Sequence, residues 1–559
     1  MLYLNGLTAL VMIVLGWYRP RLGDRSLGHL EGVASRFAAR KRTMVLTVAF
    51  ATIGFRLALL WAFPVPVPAV HDEFSYLLAA DTFAQGRLTN PPHPMGSFFD
   101  TFHVLQHPSY ASIYPPAQGA VLALGELLGR PWIGVLLSMA AMCAAITWML
   151  QGWLPPNWAL LGGVLVLLRL GLTSYWMNAY WGGAAAAIGG ALVLGALPRI
   201  VRGRRLGNAF WMAIGAGLLA NSRPVEGLIF CLPVAVAMAA WLFSSRSPAL
   251  RITARQVILP VAALLGLTAV FLLYYDWRIT GDPFLPPHLL YQRQYWGDDP
   301  LLVWQRQTPP RHYANPQFET FFNMYGRTTH DPPREELLRV TYLKMWNWWY
   351  FFLGIPFSIP FVTLPWLLCD RRLRLILIQF ALCALGLLAV VFFHPHYAAP
   401  LTATMAVMLT QAMRHLRRWK IRGRPVGVLL TRAVVLLSLL SVLVFAGSRR
   451  SYGVPEEGLK RAQIVRYLES TPGEHLVLVH YAPDHNPKYE WVYNRADIDH
   501  AKIVWAREVP GQDLAPLLEY FRGRKVWEVE ADTSPVDIHL YQAARKPNQA
   551  RLSLTSRDR

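Results

Sequence analysis

The chain has 559 residues, 54% of them hydrophobic, and a formal charge of +21 at pH 7. Its apolar residues fall in repeated runs of roughly 16–23, which excludes a soluble multidomain globule and defines an integral membrane protein. The positive charge lies in short clusters between these runs, as expected of cytoplasmic loops, so the net charge does not point to nucleic acid.

An apolar stretch from Met1 to about Tyr18 precedes Arg19, Arg21 and Arg25. A secretory signal carries its charge before the apolar core, so this stretch reads as a span entering the cytoplasm. The next run, Met44 to Phe63, follows Arg36, Arg40, Lys41 and Arg42 and leads outward, to His71-Asp72-Glu73 at the head of a polar, aromatic, proline-rich loop over 64–130. Within that loop, Ala117 to Leu128 is too short to span and reads as a helix along the interface.

Trp132 to Trp153 then runs inward and Leu160 to Leu172 outward, ending in the aromatic turn Ser174-Tyr175-Trp176-Met177-Asn178-Ala179-Tyr180-Trp181. The small-residue helix Gly182 to Leu197 descends to Arg199, Arg202, Arg204 and Arg205. Phe210 to Ala220 and Gly227 to Phe243 form a pair around Ser222-Arg223-Pro224-Val225-Glu226, with Arg246, Arg251 and Arg255 beyond it. Val257 to Tyr275 leads to a second long loop, 276–345, which carries Arg278 and Asp282. Trp346 to Leu368, Leu375 to Phe393, Pro400 to Met413 and Val426 to Phe445 complete the series, with a basic cluster from Arg414 to Arg424.

This alternation predicts a polytopic α-helical membrane protein of about twelve spans, all major basic clusters on one side and both long loops on the other. Arg449 and Arg450 are the exception. The predicted divisions are an N-terminal span and basic loop (1–43), a transmembrane domain (44–448) and an exported C-terminal α/β domain (449–559). The last should contain a helix over Leu459–Leu468 and strands at His475–Val479 and Glu490–Tyr493. The four cysteines, Cys143, Cys231, Cys369 and Cys383, stand alone in apolar segments and read as small core residues.

The distinctive polar groups collect on the exported face: Asp72 and Glu73, Arg223 and Glu226, Arg278 and Asp282, and His394, His396 and Tyr397. Moving a sugar from a polyprenyl phosphate needs a carboxylate to hold or deprotonate an acceptor hydroxyl, and cationic groups to take up charge on the departing phosphate. That face supplies both. A plainer alternative is that Asp72 caps a helix beginning Phe74-Ser75-Tyr76-Leu77-Leu78.

With these residues in order, the chain resembles the GT-C-fold glycosyltransferases, in particular the protein O-mannosyltransferases and lipid A aminoarabinose transferases. The features are an Asp-Glu pair in the first exported loop, Tyr114-Pro115-Pro116 before an interfacial helix, Arg223-Pro224 between two middle helices, and His396-Tyr397-Ala398-Ala399-Pro400 at an outer helix end. The resemblance implies that Asp72 is the catalytic base with Glu73 its helper, and that Arg223, His394, His396 and Tyr397 bind the donor phosphate. Glu226, Asn178, Tyr114 and Arg278 then fall to the acceptor or sugar. The family often carries a second acid in the next outer loop, where this chain has Asn178.

Some enzymes of this fold use a divalent ion at the acidic site, so Mg²⁺ or Mn²⁺ at Asp72 stays open. His394 and His396 are an alternative metal pair, with His71, His93, His103 and His107 nearby in type. Asp497-Ile498-Asp499 matches the DxD of nucleotide-sugar enzymes but lacks nucleotide-binding glycines. The expected function is an inverting, lipid-linked glycosyltransferase of a bacterial-type inner membrane. Its expected partners are a polyprenyl-phosphate-linked sugar, membrane lipids and a glycan, lipid or protein acceptor. The alternatives are a flippase of lipid-linked sugars and an inactive membrane scaffold.

Overall fold

The computed structural model describes residues 22–203, 205–245, 247–296, 315–329, 334–390, 393–448, 456–508 and 511–542, with Tyr313 and scattered residues of 6–19. Most of the first predicted span, Arg204, Arg246, Arg449 and Arg450 lie outside the described residues. The chain divides into two compact units, one of Met1–Val65, Ile133–Phe271 and Pro333–Tyr452, the other of Pro66–Trp132, Leu272–Pro332 and Gly453–Arg559.

The first unit is helical. Among the described residues of the chain, six helices are long and apolar enough to cross a bilayer: Pro131–Trp153, Ala184–Val201, Pro224–Leu242, Leu250–Thr280, Arg371–Ala389 and Val426–Gly447. A seventh is counted if Glu335–Phe352 and Gly354–Cys369, bent by 92°, form one broken span. Among the described residues the expected twelve is not confirmed, since other runs fold into shorter helices, such as Arg205–Ala220 and Thr402–Arg417. Lys41–Ala58 has the length but carries Lys41, Arg42 and Arg56.

Leu250–Thr280 has few fully buried residues along its apolar length, which fits hydrocarbon rather than water as its surroundings. Ala184–Val201 is the most buried of the six. Its backbone approaches closely: a Cβ on Gly190 would stand 2.5 Å from the Pro400 carbonyl oxygen, so the contact needs glycine. Cys143 and Cys383 are buried as expected, whereas Cys369 is exposed.

The second unit is built on a four-stranded sheet, in which β1 (His475–His480) runs parallel to β2 (Ile503–Arg507) and β3 (Lys525–Glu530), and β4 (Asp537–Leu540) closes the edge antiparallel to β3. The strand order is β2-β1-β3-β4. Strand residues alternate between two faces. Val477, Val479, Trp505 and Trp527 pack with Ile464 and Leu468 of the helix Glu456–Ser470. Leu476, Leu478, Val504 and Ala506 face a second core containing Phe74, Leu78 and Tyr493. The His71–Ala84 helix is thereby seated on the sheet, with the Phe74 and Tyr493 rings stacked at 4.5 Å.

The predicted strand at Glu490–Tyr493 does not form. The buried Glu490 carboxylate accepts the amides of its own neighbours Trp491 (2.9 Å) and Val492 (2.8 Å), which removes both donors from any strand ladder.

The helix Pro116–Leu127 packs along His71–Ala84 through Gly119, where an added Cβ would lie 2.7 Å from the Ala79 Cβ and 2.9 Å from the Phe83 ring. Gly119→Val should therefore destabilise the second unit by about 1–3 kcal/mol, seen as a lowered apparent Tm of the purified protein.

Candidate active site

The His71–Ala84 helix starts at an extended Val70, so His71, Asp72 and Glu73 fill its first turn, where negative side chains are favoured by the exposed amides. Glu73, rather than Asp72, does the capping: its Oε2 accepts from the amides of Ala69 (2.9 Å) and Val70 (3.3 Å). Asp72 is left to face other groups.

Its Oδ1 accepts a hydrogen bond from the Tyr114 hydroxyl and lies 3.2 Å from His103 Nδ1, while His71 Nδ1 stands 3.1 Å from Oδ2. The Tyr114 hydroxyl is also 3.0 Å from His103 Nδ1. Since Tyr114 gives its proton to Asp72, its oxygen is placed to accept one from His103, which puts the imidazole hydrogen on Nδ1. The Tyr114 ring stacks on Tyr76 at 4.3 Å, and the His71 and His103 rings meet edge-on at 4.3 Å. The Asp72 side chain retains 22% of its surface, enough for a substrate hydroxyl to reach it.

His103 reaches this position through an uncommon backbone. Its φ is +60°, a left-handed conformation that side-chain-bearing residues seldom adopt and that recurs at functional sites. Its carbonyl accepts from the Ser75 hydroxyl (2.6 Å) and the Ile113 amide (3.3 Å), and its amide donates to the Tyr291 hydroxyl (3.0 Å). Three partners hold one strained residue.

Burial pushes the Asp72 carboxyl up, but the adjacent His71 and His103 more than offset this and hold it well below the usual carboxylate range. Burial, with His71 beside it, pushes His103 down. Elsewhere in the unit, burial pushes Asp100 up to about 6, against the hydrogen bond that it accepts from Tyr295.

His71, Asp72 and His103 form the one group of three or more metal-ligating side chains among the described residues, with their ligand atoms all within 4.8 Å of one another. The trio fits a divalent cation, because the buried His71 Nδ1 makes no hydrogen bond. Two imidazoles and one carboxylate suit Zn²⁺ better than the Mg²⁺ or Mn²⁺ expected at Asp72. The DxD segment is otherwise engaged, Asp497 with His500 (3.0 Å) and Asp499 with His93 (3.0 Å).

The predicted phosphate-binding residues form a separate cluster in the first unit. The Tyr175 hydroxyl accepts from the His396 amide (3.0 Å) and bonds to His396 Nδ1 (2.8 Å). Trp181 lies against His394 (5.0 Å) and His396 (5.4 Å), and the Arg223 guanidinium sits 4.3 Å over the Tyr397 ring. Glu226 lines a narrow crevice with Tyr397 and Pro400. Asn178 is engaged internally: its Oδ1 accepts from the buried Arg56 (3.0 Å), and its Nδ2 donates to the carbonyls of Leu172 and Ser174.

Arg278, in the second unit, is exposed and donates to the Tyr274 hydroxyl, at the rim of a cavity of about 690 Å³ that also includes Arg87 and Asn90. Sequence reasoning did not pair His103 with Asp72 or Tyr175 with His396. Neither pairing leaves a local spacing signal.

No protein-family model and no curated protein matches the chain. Solved structures do. An oligosaccharyltransferase of Archaeoglobus fulgidus tethered to an acceptor peptide aligns with 88% of this chain and 69% of its own length, at 12% identity and a TM-score of 0.47. AglB of Archaeoglobus fulgidus, in complex with an inhibitory peptide and a dolichol-phosphate, aligns with 87% of this chain and 69% of its own, at 12% identity and a TM-score of 0.48. ArnT of Cupriavidus metallidurans, bound to undecaprenyl phosphate, aligns with 87% of this chain and 92% of its own, at 12% identity and a TM-score of 0.47. These are proteins of the kind that the motif resemblance names. Their TM-scores fall below one half, so the function is argued from the site.

Two outcomes are expected. Because the folded-state pKa of His103 is depressed, the unfolded chain takes up a proton first as pH falls below about 6.5, and stability is lost. Asp100 acts in the opposite sense between about 4 and 6, so the comparison is with a variant: the Tm advantage of wild type over His103→Gln should shrink from pH 7.5 to pH 5. Separately, Co²⁺ used as a Zn²⁺ surrogate should give a bound-metal absorption in wild type that is absent in His71→Ala/His103→Ala. Equal uptake by the variant would remove these histidines from metal binding.

Proposed function

We propose that this protein is a GT-C-like membrane glycosyltransferase that moves a sugar from a polyprenyl-phosphate donor to an acceptor hydroxyl on the exported face of a bacterial-type inner membrane. The observation that carries this reading is the anionic Asp72, partly open and gripped by Tyr114, His103 and His71. A carboxylate held below its usual range is a weak base toward a free alcohol. It serves instead by orienting the acceptor hydroxyl and taking its proton late, once the oxygen is bonding to carbon. Tyr114 and His103 fix the carboxylate for that role, and Glu73 assists by fixing the helix start.

In the reaction the acceptor oxygen bonds to the anomeric carbon as the bond to the phosphate oxygen breaks. The bonding pair leaves with the phosphate, the acceptor proton goes to Asp72, and in-line attack inverts the carbon. Arg223, His394, His396 and Tyr397 meet the growing negative charge with cationic and hydrogen-bonding groups, Tyr175 orienting His396. Glu226 and Tyr114 are assigned to the sugar and the acceptor hydroxyl, Arg278 to a more distant part of the acceptor, and Asn178 to holding Arg56. A divalent ion on His71, Asp72 and His103 would act as a Lewis acid toward the acceptor oxygen.

The test is release of free polyprenyl phosphate by purified protein in lipid, with a panel of polyprenyl-phosphate sugars and a membrane extract as acceptor. Asp72→Asn should lower release by about 10²–10⁴-fold. Release undiminished in Asp72→Asn would take the base role from this residue, and transbilayer movement of donor without release would favour a flippase.

A further inference from the structure

A second cavity, of about 940 Å³, lies in the first unit at the basic ends of its helices. Lys41, Arg42, Arg199 and Arg202 line it together with Trp148 and Trp211, and no carboxylate does among the described residues. Two of the cations are fixed in place. Arg199 donates to the carbonyls of Gly195 and Trp148 (both 2.6 Å) with its guanidinium 4.0 Å over the Trp148 ring, and Arg202 donates to the Gly152 carbonyl (3.0 Å).

The other two are open. Lys41 and Arg42 are exposed, and among the described residues their side chains meet no protein acceptor. They occupy the first turn of the Lys41–Ala58 helix, the end where the helix dipole and its free amides repel cations. Lys41 and Arg42, two cations at an unfavourable helix end beside the fixed Arg199 and Arg202, define a place for an anion.

The wall of the cavity indicates what carries that anion. Leu46 and Trp211 line it and are 57% and 49% exposed. Leu46 and Phe50 follow Arg42 at four-residue steps on one helix face, and Ile214 follows Trp211 three residues on, all of them exposed. An apolar strip therefore runs on from the cationic mouth along the same helices. A soluble anion would gain nothing from that strip, whereas an acyl chain would cover it.

We propose that this cavity binds the phosphate headgroup of an anionic phospholipid, with Lys41 and Arg42 as the contacts made on binding, Arg199 and Arg202 as the preset ones, and the acyl chains along Leu46 and Trp211. The site is distinct from the donor and acceptor residues and does not depend on the glycosyl-transfer reading.

The experiment is native mass spectrometry of the full-length protein released from detergent, titrated with phosphatidylglycerol, phosphatidylcholine or inorganic phosphate. Wild type should retain phosphatidylglycerol in preference to phosphatidylcholine. Lys41→Gln/Arg42→Gln should weaken phosphatidylglycerol binding about twentyfold. The charge-keeping Lys41→Arg/Arg42→Lys should restore it, which separates lost charge from lost fold. Arg371→Gln/Arg372→Gln, in another basic cluster, should leave binding unchanged. Equal retention of the two lipids, or equal loss in the Arg371/Arg372 variant, would overturn the proposal. Displacement of phosphatidylglycerol by inorganic phosphate at matched concentration would do so too, by showing a free-anion site.

Discussion

A carboxylate kept anionic while largely withdrawn from water is the constraint on which the second unit is organised. Removing a charge from water costs several kcal/mol unless hydrogen bonds and opposite charge replace the lost hydration. Asp72 obtains that replacement from three side chains that arrive from different stretches: its neighbour His71, His103 in a left-handed turn, and Tyr114 before the next helix. Each needs its own support. Ser75, Ile113 and Tyr291 hold the His103 backbone, Tyr76 holds the Tyr114 ring, and Glu73 holds the helix start. The sheet beneath supplies Leu476, Leu478, Val504 and Ala506 as a floor for Phe74 and Leu78, so the helix cannot rotate to present another residue. Rigidity of this kind is what the base role proposed for Asp72 requires, since its geometry must be set before the substrate arrives.

The first unit solves a different problem, that of collecting polar groups among helices rich in small and apolar residues. Close backbone approach at Gly190 brings Ala184–Val201 against the Pro400 turn, next to the histidine–tyrosine segment. There the polar atoms bond to one another: Tyr175 to His396, and Arg223 to the face of Tyr397. Asn178, standing where a second acid would be expected, instead grips Arg56, a fully buried guanidinium that also donates to the Pro64 carbonyl. The difference from the acidic pattern is therefore coupled to an arginine in a preceding helix.

Much of this was legible in the sequence, and the limits have physical causes. Apolar runs mark helices because burial in hydrocarbon imposes a length, and basic clusters mark their ends. The Asp-Glu pair and the His396-Tyr397 segment stand out because ionisable groups beside apolar runs are costly without a purpose. The span count was less legible: runs such as Phe210–Ala220 look alike in sequence whether their helices extend fully or stop short. Glu490–Tyr493 has strand composition, yet its own carboxylate captures the amides that a ladder would use. His103 was one histidine among several in a polar loop, and only tertiary folding makes it the partner of Asp72. The Asp72 cap was a sound inference from residue type, displaced because the helix begins earlier, at His71, and Glu73 reaches back to the Ala69 and Val70 amides.

The seat of the Asp72 helix also sets a timetable. The strands that cover Phe74, beginning at Leu476, are made about 400 residues after it. At ribosomal speeds of about 5–20 residues per second, that helix waits on the order of 20–80 s with its apolar face uncovered. A nascent chain therefore cannot hold an ordered carboxylate until the strands of the sheet have joined it. On the proposed function, transfer waits for that docking, and a chain cut short before the sheet stays silent, its Phe74 and Leu78 exposed to chaperones and proteases.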